Sequence, residues 1–409
     1  MMNDDSSQSP DPAADSRRFA PTGPVIGVVG GGQLARMMGP AATELGIELR
    51  VLAESQDAGA VPAAASHQVG PGDDLEALRA FAQGLDALTF DHEHVPNAHL
   101  EALLADGVVV EPRPHALIHA QDKIVMRRAV ERLGLPNPRW AEVSDAEDLV
   151  AFADGRWPVI LKTPRGGYDG KGVLVVRSED EVRTGTAAEW FGRAESPLLA
   201  EEAVDFAREL SAQVARRRSG EQRCWPVVES IQVDGVCDEV ISPAPNLAPD
   251  EIATAQRIAL ELSEQLDVTG VMAVELFQTR DGRLLVNELA MRPHNSGHWS
   301  MDGAVTGQFE QHLRAVLDLS LGSTEPLAAV AVMKNILGGE QPNLFAGLTQ
   351  AMSEHPRAKI HLYGKSVKPG RKVGHVNALS RREDPADGSV TAEVRDLASA
   401  AAAVVRDGR

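Results

Sequence analysis

The segment that most constrains the fold of this chain is residues 271–299, VMAVELFQTRDGRLLVNELAMRPHNSGHW. Two apolar runs flank Asp281 and Gly282, a pair that favours a two-residue hairpin turn because both central residues need positive φ. With that turn, Glu275 and Glu288 lie directly opposite each other on one face of the hairpin. The sequence therefore predicts two paired carboxylates on neighbouring strands.

This predicted register also pairs Phe277 with Val286. Opposed carboxylates destabilise a sheet unless a positive charge lies between them, and Mg²⁺ prefers oxygen ligands completed by substrate phosphates. Asn287 adds a neutral oxygen beside Glu288. The alternative is a pair of solvated glutamates on an exposed face, but the flanking strands are strongly apolar. We therefore expect a metal site that meets phosphate.

A polar run follows the hairpin directly and has little helix or strand character. It contains Arg292, His294, Asn295, Ser296 and His298. A metal–phosphate site followed by such a run predicts a substrate-binding loop.

Composition restricts the class of protein. The chain has 409 residues, is 43% hydrophobic and carries a net charge of −19, which predicts a globular protein of two or three domains. The acidic balance disfavours a nucleic-acid surface or an anionic membrane surface. Two cysteines, Cys224 and Cys237, are typical of a reduced, cytoplasmic protein. The polar residues 1–20 have no apolar core of a signal peptide and predict a disordered tail.

The ordered part begins near Pro24 with a β-branched run, a triple glycine, a helical pattern and a second strand. Gly30, Gly32 and Ala35 satisfy the G-x-G-x-x-A pattern, and Glu54 ends the second strand at about the spacing of a dinucleotide-binding unit. The alternative that we favour is a doubly wound domain whose glycine loop meets another phosphate.

Further elements of this first domain follow in order. The patterns predict a helix over 73–83, strands over 86–90 and 108–111, and a helix that holds Lys123. A charged cluster follows the strand at 86–90 and consists of Asp91, His92, Glu93 and His94. A metal site there is disfavoured because alternate strand residues point to opposite faces. We place the first domain boundary near residue 118.

A glycine hairpin is predicted over residues 159–176. Four glycines within 166–172 give a loop whose backbone N–H groups can approach a polyphosphate, and Lys162 precedes it on a strand. No helix and no G-K-[ST] follow, so this is not a Walker loop. We expect a mobile lid over a triphosphate, the alternative being a merely flexible turn.

The remaining patterns predict one strand over 198–213, helices over 249–266, 309–319 and 398–405, and short strands after residue 327. This last part carries a basic island in an acidic protein, formed by Lys365, Lys368, Arg371 and Lys372. Either a solvated face or an anion site is consistent with it.

Together these features resemble the ATP-grasp superfamily. More narrowly, the motifs GGGQLARM, GGYDGKG, HNSGHW and PGRKVGH resemble those of the N5-carboxyaminoimidazole ribonucleotide synthase family, over about residues 24–379. The resemblance implies an α/β (α+β) ATP-grasp architecture with a Rossmann-like doubly wound N-terminal domain. The implied parts are a tail (1–22), that N-terminal domain (23–118), an ATP-grasp domain (119–322) with a mobile glycine-loop subdomain (about 157–204), and a small β-rich C-terminal domain (323–409).

The resemblance also implies site residues. Those implied in ATP binding are Lys123, Lys162, Gly167, Tyr168, Asp169, Gly170, Lys171, Gly172, Val173, Glu201, Glu202, Ala203, Val204, Glu209, Gln232, Asn287 and Glu288. Those implied in binding the ribotide and bicarbonate are Gly32, Gln33, Glu93, Tyr168, Asp169, Lys171, Arg292, His294, Asn295, Lys365, Arg371 and Lys372. Catalytic roles fall to Arg292, Asp169 and Lys162, and Glu275 with Glu288 would bind Mg²⁺ or Mn²⁺.

Five positions depart from the family pattern. Gln232 stands where a histidine is common, Asp91-His92 replaces Glu-Phe, and Met291 and Pro293 flank Arg292. No charge that the chemistry needs is lost, so these departures bear on fine specificity.

The implied reaction is the ATP-dependent carboxylation of 5-aminoimidazole ribonucleotide by bicarbonate through carboxyphosphate, in purine biosynthesis, by a cytoplasmic homodimer. Nucleic acid and membrane are not expected partners. Alternatives are another ATP-grasp carboxylate–amine ligase, a formate-dependent ribotide transformylase, an NAD-dependent oxidoreductase and a silent nucleotide-binding scaffold. The oxidoreductase leaves Glu275, Glu288 and the glycine hairpin unused, and a scaffold would be expected to have lost Lys162 or a metal carboxylate.

Overall fold

The computed structural model describes residues 22–166, 172–194, 196–381, 383–385 and 387–408. The elements form three sheets, each associated with helices.

The first sheet is parallel and belongs to the N-terminal part. Its strands, in the spatial order β3-β2-β1-β4, are β1 (Val25–Val29), β2 (Glu48–Ala53), β3 (Ser66–Val69) and β4 (Ala87–Phe90). The helices of this part are α1 (Gln33–Glu44), α2 (Leu75–Phe81), α3 (Asn97–Ala105) and α4 (Pro114–Gln121). The strand predicted over 108–111 is only a single parallel bridge between Val110 and Leu88. The boundary predicted near residue 118 lies within α4.

The second sheet is antiparallel and carries the glycine hairpin. Its strands, in the order β5-β8-β6-β7, are β5 (Trp140–Val143), β6 (Val159–Lys162), β7 (Val173–Val176) and β8 (Leu198–Glu202). Four helices are associated with this part of the chain, namely α5 (Lys123–Arg132), α6 (Ala146–Ala153), α7 (Glu179–Thr184) and α8 (Thr186–Arg193). Strand β5 precedes residue 157, where the sequence predicts the subdomain to begin.

The third sheet has nine strands among the described residues, all paired antiparallel. The strands are β9 (Phe206–Arg216), β10 (Gln222–Cys224), β11 (Val228–Val233), β12 (Val236–Ser242), β13 (Gly270–Thr279), β14 (Leu284–Ala290), β15 (Ala331–Leu337), β16 (Lys359–Leu362) and β17 (Lys372–Leu379). The path is β14-β13-β9-β11-β12-β15-β17-β16, with β10 paired to β9. The C-terminal strands therefore continue the central sheet.

Five α-helices follow β12 among the described residues. They are α9 (Pro249–Gln265), α10 (Ser300–Gly303), α11 (Gln308–Val316), α12 (Leu344–Glu354) and α13 (Gly388–Asp407). The helix predicted over 249–266 is confirmed. The prediction of a single strand over 198–213 is wrong. Residues 203–205 are not in a strand, and they separate β8 from β9, which belong to different sheets.

Helix α11 joins the N-terminal part to the central sheet. Phe309 and Leu313 are buried in the same core as strand β1 and helix α1, and each such side chain contributes roughly 1.5–3 kcal/mol. His312 accepts from the Val271 N–H through Nδ1 at 3.0 Å, so its Nε2–H donates to Thr89 Oγ1 at 2.8 Å. Burial lowers the pKa of His312 to about 3, which fits this neutral form. The ends of β4 and β13 are thereby fixed relative to each other.

Candidate active site

A cavity of about 1090 Å³ lies where the three sheets meet. Most of the residues that the sequence analysis selected line it. They are Gly32, Gln33, Glu93, Lys162, Val173, Glu201, Glu202, Ala203, Val204, Glu209, Gln232, Glu275, Asn287, Glu288, Arg292, His294, Asn295, Lys365, Arg371 and Lys372.

The other selected residues fall into two groups. Gly167, Tyr168, Asp169, Gly170 and Lys171 lie outside the described residues. Lys123 and Gly172 are described but do not line the cavity. Lys123 nevertheless lies beside it, with Nζ 3.7 Å from Glu288 Oε1, and the Gly172 carbonyl accepts from the Thr163 N–H at the base of the glycine hairpin.

The hairpin of β13 and β14 differs from its predicted register near the turn. Thr279 and Arg283 close a three-residue turn, in which Gly282 has a φ of +84°. Phe277 therefore pairs with Leu285 rather than with Val286. Three-residue turns of this kind commonly end in a glycine of positive φ, so an Asp-Gly pair is also compatible with the longer loop.

A β-bulge then restores the predicted register where it matters. The pairs Val274–Leu289 and Leu276–Val286 leave two residues of β14 opposite Glu275. Those two residues are Asn287 and Glu288, so the predicted apposition of the two carboxylates holds. The sequence gives no sign of this bulge.

Burial and mutual repulsion of the carboxylates around the bulge outweigh the positive charges of Lys162 and Arg292 nearby. Burial, with added repulsion from Glu288 and Glu209, raises the pKa of Glu275 to about 8. Burial and Glu288 likewise raise the pKa of Glu209 to about 7. A cation bound among these groups would relieve both effects.

The donor set suits a hard divalent cation. Asn287 Oδ1 is buried and has no hydrogen-bond partner within the part of the chain that the structure describes. In the same part, no three acidic, histidine or cysteine side chains converge closely enough to hold a metal alone. Mg²⁺ typically takes one or two carboxylates and completes its shell with phosphate and water, so the arrangement fits a metal that arrives with a nucleotide.

Lys162 is anchored by a buried ion pair. Its Nζ lies 2.8 Å from Glu201 Oε2, and Arg127 Nε lies 2.6 Å from Glu201 Oε1. Although burial opposes ionisation, Arg127 and Lys162 lower the pKa of Glu201 to about 2. The Glu201 carboxylate is therefore engaged by Arg127 and Lys162. A ligand can instead meet the backbone of the segment that follows Glu201.

Part of the cavity lining is apolar. The rings of Phe206 and Phe277 stack with centroids 4.7 Å apart, and Ile160 and Leu289 complete the lining around them. Phe206 is 39% exposed, so its ring is available to a planar ligand.

The polar run after the hairpin also lines the cavity, through Arg292, His294 and Asn295. Arg292 donates through Nε to Glu93 at 2.8 Å, which fixes its guanidinium at the cavity wall. His294 Nε2 lies 3.3 Å from Glu275 Oε1. Burial, with Arg292 and Lys372 nearby, lowers the pKa of His294 to about 3, so the imidazole is neutral.

The basic island supplies a second cationic region. Lys365 Nζ donates to Gln33 Oε1 at 2.6 Å and lies 5.8 Å from the centroid of the Tyr363 ring. Arg371 and Lys372 line the same cavity. Lys368, in contrast, is exposed and does not line it.

The glycine loop of the N-terminal part is closed by a carboxylate. A side chain at Gly30 or Gly32 would collide with the carboxylate of Asp91. Burial raises the pKa of Asp91, and Glu54 adds to the effect. A dinucleotide pyrophosphate would have to enter this acidic, occupied space, which argues against the oxidoreductase alternative.

Three contributors escaped the sequence analysis. Arg127 is an ordinary residue of a helical pattern, yet its guanidinium holds Glu201 and donates to the carbonyls of Val286 and Asn287. Phe206 and Phe277 could have been found only as aromatic residues on the strands flanking the predicted site. No sequence pattern distinguishes Arg127 from its neighbour Arg128.

No helix in the described ranges is long and apolar enough to cross a membrane.

Comparison with known proteins assigns the parts of the chain. The model of the ribonucleotide synthetase preATP-grasp domain matches residues 24–121, and that of the ATP-grasp domain matches residues 128–309. The model of the phosphoribosylaminoimidazole carboxylase C-terminal domain matches residues 331–387.

Whole proteins match over nearly their full lengths. An N5-carboxyaminoimidazole ribonucleotide synthase of Mycobacterium tuberculosis is 50% identical, with 94% of this chain and 89% of the relative covered. The ADP complex of an N5-carboxyaminoimidazole ribonucleotide synthetase has a TM-score of 0.83 at 35% identity, covering 93% of this chain and 97% of the other.

An Aspergillus clavatus N5-carboxyaminoimidazole synthase in complex with ADP and 5-aminoimidazole ribonucleotide has a TM-score of 0.82 at 31% identity, covering 94% of this chain and 99% of the other. Sequence identity and architecture therefore agree over at least 93% of the chain, and the chain belongs to the N5-carboxyaminoimidazole ribonucleotide synthase family of ATP-grasp enzymes.

Proposed function

We propose that this enzyme joins bicarbonate to the exocyclic amine of 5-aminoimidazole ribonucleotide, with ATP converted to ADP and phosphate. The product is N5-carboxyaminoimidazole ribonucleotide, a carbamate on the route to purines. Membership of the family supports the overall reaction, and the cavity supports the division of labour among its residues.

ATP would lie between the second and third sheets. The stacked pair Phe206 and Phe277 offers a surface for adenine, and the backbone of 202–204 offers its polar edge. Lys162 and Lys123 would meet the phosphates. The glycine hairpin, including Gly167 to Lys171, would close over them, as its composition predicts.

Glu275, Glu288 and the Asn287 amide oxygen would hold Mg²⁺. When bound, the ion would neutralise charge on the transferred phosphoryl group. Every other contribution to the reaction comes from the residues of the chain and from the substrates themselves.

The first chemical step would form carboxyphosphate. A bicarbonate oxygen attacks the γ-phosphorus, the bond to the β–γ bridging oxygen breaks, and ADP leaves. Arg292, held at its Nε by Glu93, would orient the bicarbonate through its remaining N–H groups.

In the second step, the ribotide amine would attack the activated carbon, inorganic phosphate would leave with the C–O electron pair, and the amine would give up one proton to Asp169 or to the departing phosphate. Lys365, Arg371 and Lys372 would hold the 5′-phosphate, and Asp169 would orient the amine. Exclusion of water by the lid matters because carboxyphosphate is prone to hydrolysis.

We also propose that the enzyme works as a cytoplasmic homodimer. Both cysteines are free, and burial raises the pKa of each thiol to about 12, as suits a reduced protein whose thiols take no part in chemistry. Sedimentation equilibrium at micromolar concentration tests the dimer, and a monomeric active enzyme would refute it.

The observation that carries the proposed reaction is that one cavity is lined by the carboxylates Glu275 and Glu288, by Arg292, and by the basic residues Lys365, Arg371 and Lys372. Steady-state ADP release should require bicarbonate and rise strongly when the ribotide is added. Release that is equally fast without the ribotide, or with formate in place of bicarbonate, would contradict the proposal.

A further inference from the structure

Gln308, the first residue of α11, lies beneath the loop that carries Arg292, His294 and Asn295. Its side chain is fully buried. Gln308 was not among the residues selected from the sequence, because it is an ordinary polar residue next to the start of a predicted helix.

The amide of Gln308 pairs with the backbone of His294. Its Oε1 accepts from the His294 N–H at 2.8 Å, and its Nε2 donates to the His294 carbonyl at 3.0 Å. His294 has φ −128° and ψ 157°, so its backbone is extended. A single side chain thus makes the two hydrogen bonds that a neighbouring strand would make.

The two bonds are not equivalent. The His294 carbonyl also accepts from the Gly297 N–H at 3.0 Å. The His294 N–H has its described bond to Gln308, and a buried N–H without a partner is costly. Removal of the Gln308 amide therefore acts mainly on the backbone N–H of His294.

The amide is itself held in one orientation. Oε1 accepts from Gln213 Nε2 at 2.8 Å, and Nε2 lies 2.7 Å from His298 Nδ1. A flipped amide would place donor against donor at both His294 and Gln213, so this network fixes the assignment. A side chain at Gly297 would collide with the amides of Gln213 and Gln308, which gives the glycine of HNSGHW a packing role.

We propose that Gln308 is a positioning residue of the carboxylation reaction. Gln308 fixes the position and orientation of the segment 292–295, so that Arg292 and Asn295 can contact the bicarbonate and the ribotide. Gln308 itself contacts neither substrate. The reaction that this serves rests on the proposed function; the positioning itself rests on the hydrogen bonds.

The same helix supplies a matched control. Gln311 is also fully buried, donates through Nε2 to the Gly322 carbonyl at 2.8 Å and accepts from the Gly322 N–H at 2.8 Å. Its partner lies away from the cavity. Gln308→Met and Gln311→Met therefore remove the same kind of backbone pairing at a similar volume. Both should lower the melting temperature, Gln308→Met by more because it also breaks the bonds to Gln213 and His298.

Kinetics then separates positioning from stability. In Gln308→Met the KM for the ribotide should rise, or kcat fall, by at least about tenfold, with the KM for ATP within about twofold of wild type. In Gln311→Met both constants should stay within about twofold of wild type. Equal kinetic effects of the two variants, or an equal rise of both KM values in Gln308→Met, would overturn the proposal.

Hydrogen exchange measured by mass spectrometry tests the positioning without turnover. Peptides covering 291–299 should exchange faster in Gln308→Met than in wild type and be unchanged in Gln311→Met, in which peptides around Gly322 should exchange faster. Unchanged exchange over 291–299 in Gln308→Met would refute the positioning role. Wild-type ADP release that does not respond to the ribotide would instead refute the proposed function. The hydrogen-exchange result would then still test whether Gln308 positions the segment 291–299.

A second pair keeps the test available if the methionine variants do not fold. Gln308→Glu keeps an acceptor for the His294 N–H but loses the Nε2 donor, and Gln311→Glu is its control. Gln308→Glu should raise the KM for the ribotide more than Gln311→Glu does. No difference between the two glutamate variants would contradict the proposal.

Discussion

Arg127 and Glu201 form a buried ion pair, with Nε 2.6 Å from Oε1 and both side chains at most 4% exposed. The guanidinium also donates to the carbonyls of Val286 and Asn287, at 2.6 and 2.9 Å. One side chain thus connects the strand that anchors Lys162 to the bulge at which Glu275 and Glu288 meet.

Loss of Arg127 should therefore be far costlier than loss of its neighbour. Arg127→Met leaves a buried carboxylate and two carbonyls without this partner, and we expect a loss of about 3–5 kcal/mol of unfolding free energy. Arg128→Met breaks only the exposed pair with Glu142 and should cost about 0–1 kcal/mol. Urea unfolding measures both, and equal losses would contradict this account of the buried pair.

Glu288→Gln should remove most Mg²⁺-dependent ADP formation without unfolding the protein. The carboxylate is 36% exposed and repels Glu275 and Glu209, so its neutralisation relieves strain among the acidic groups. Asp281→Asn, at the exposed tip of the same hairpin, is the control and should leave turnover unchanged. Near-normal turnover by Glu288→Gln at limiting Mg²⁺ would remove Glu288 from the metal site.

Binding of Mg²⁺ with ADP should strengthen as pH rises from 6 to 8. The pKa values of Glu275, about 8, and Glu209, about 7, lie above the ordinary 4.5, so protons must leave before the cation binds. Calorimetry in buffers of different ionisation enthalpy should show proton release. Affinity that does not change with pH would contradict the shifted values.

The same shifts bear on stability. A raised folded-state pKa gives stability that is full below about pH 4.5 and is lost as pH rises through about 7 and 8. Without nucleotide and metal, the contribution of these two carboxyls should fall over this range. Glu275→Gln should flatten the pH dependence of the melting temperature, and an unchanged profile would show that other groups set it.

Lys365→Met should raise the KM for the ribotide far more than that for ATP. A hydrogen bond to a charged group contributes roughly 1.5–3 kcal/mol, or about tenfold to over a hundredfold in affinity. Lys368→Met, in the same basic island but outside the cavity, should change neither constant. Equal effects of Lys365→Met on both substrates would indicate a structural role.

The sequence was most informative where chemistry imposes local patterns. The Glu275–Glu288 apposition followed from hairpin alternation, and the basic island from composition. The turn length and the compensating bulge could not be predicted, because an Asp-Gly pair suits both two- and three-residue turns.

The supporting residues were beyond sequence reasoning for a different reason. Arg127 and Gln308 act through partners 74 and 14 residues away, and polar residues in helical patterns are ordinarily solvated. Only the packing of three sheets around one cavity shows that these two side chains are buried and hydrogen-bonded.

The most direct test of the proposed carboxylation follows the carbon of bicarbonate into the ribotide. With ¹³C-bicarbonate, ATP, Mg²⁺ and 5-aminoimidazole ribonucleotide, the enzyme should produce a ribotide-bound carbamate ¹³C signal in step with ADP, and Arg292→Met should lose it. ADP formed without any ¹³C entering the ribotide, in the wild-type enzyme, would contradict the account.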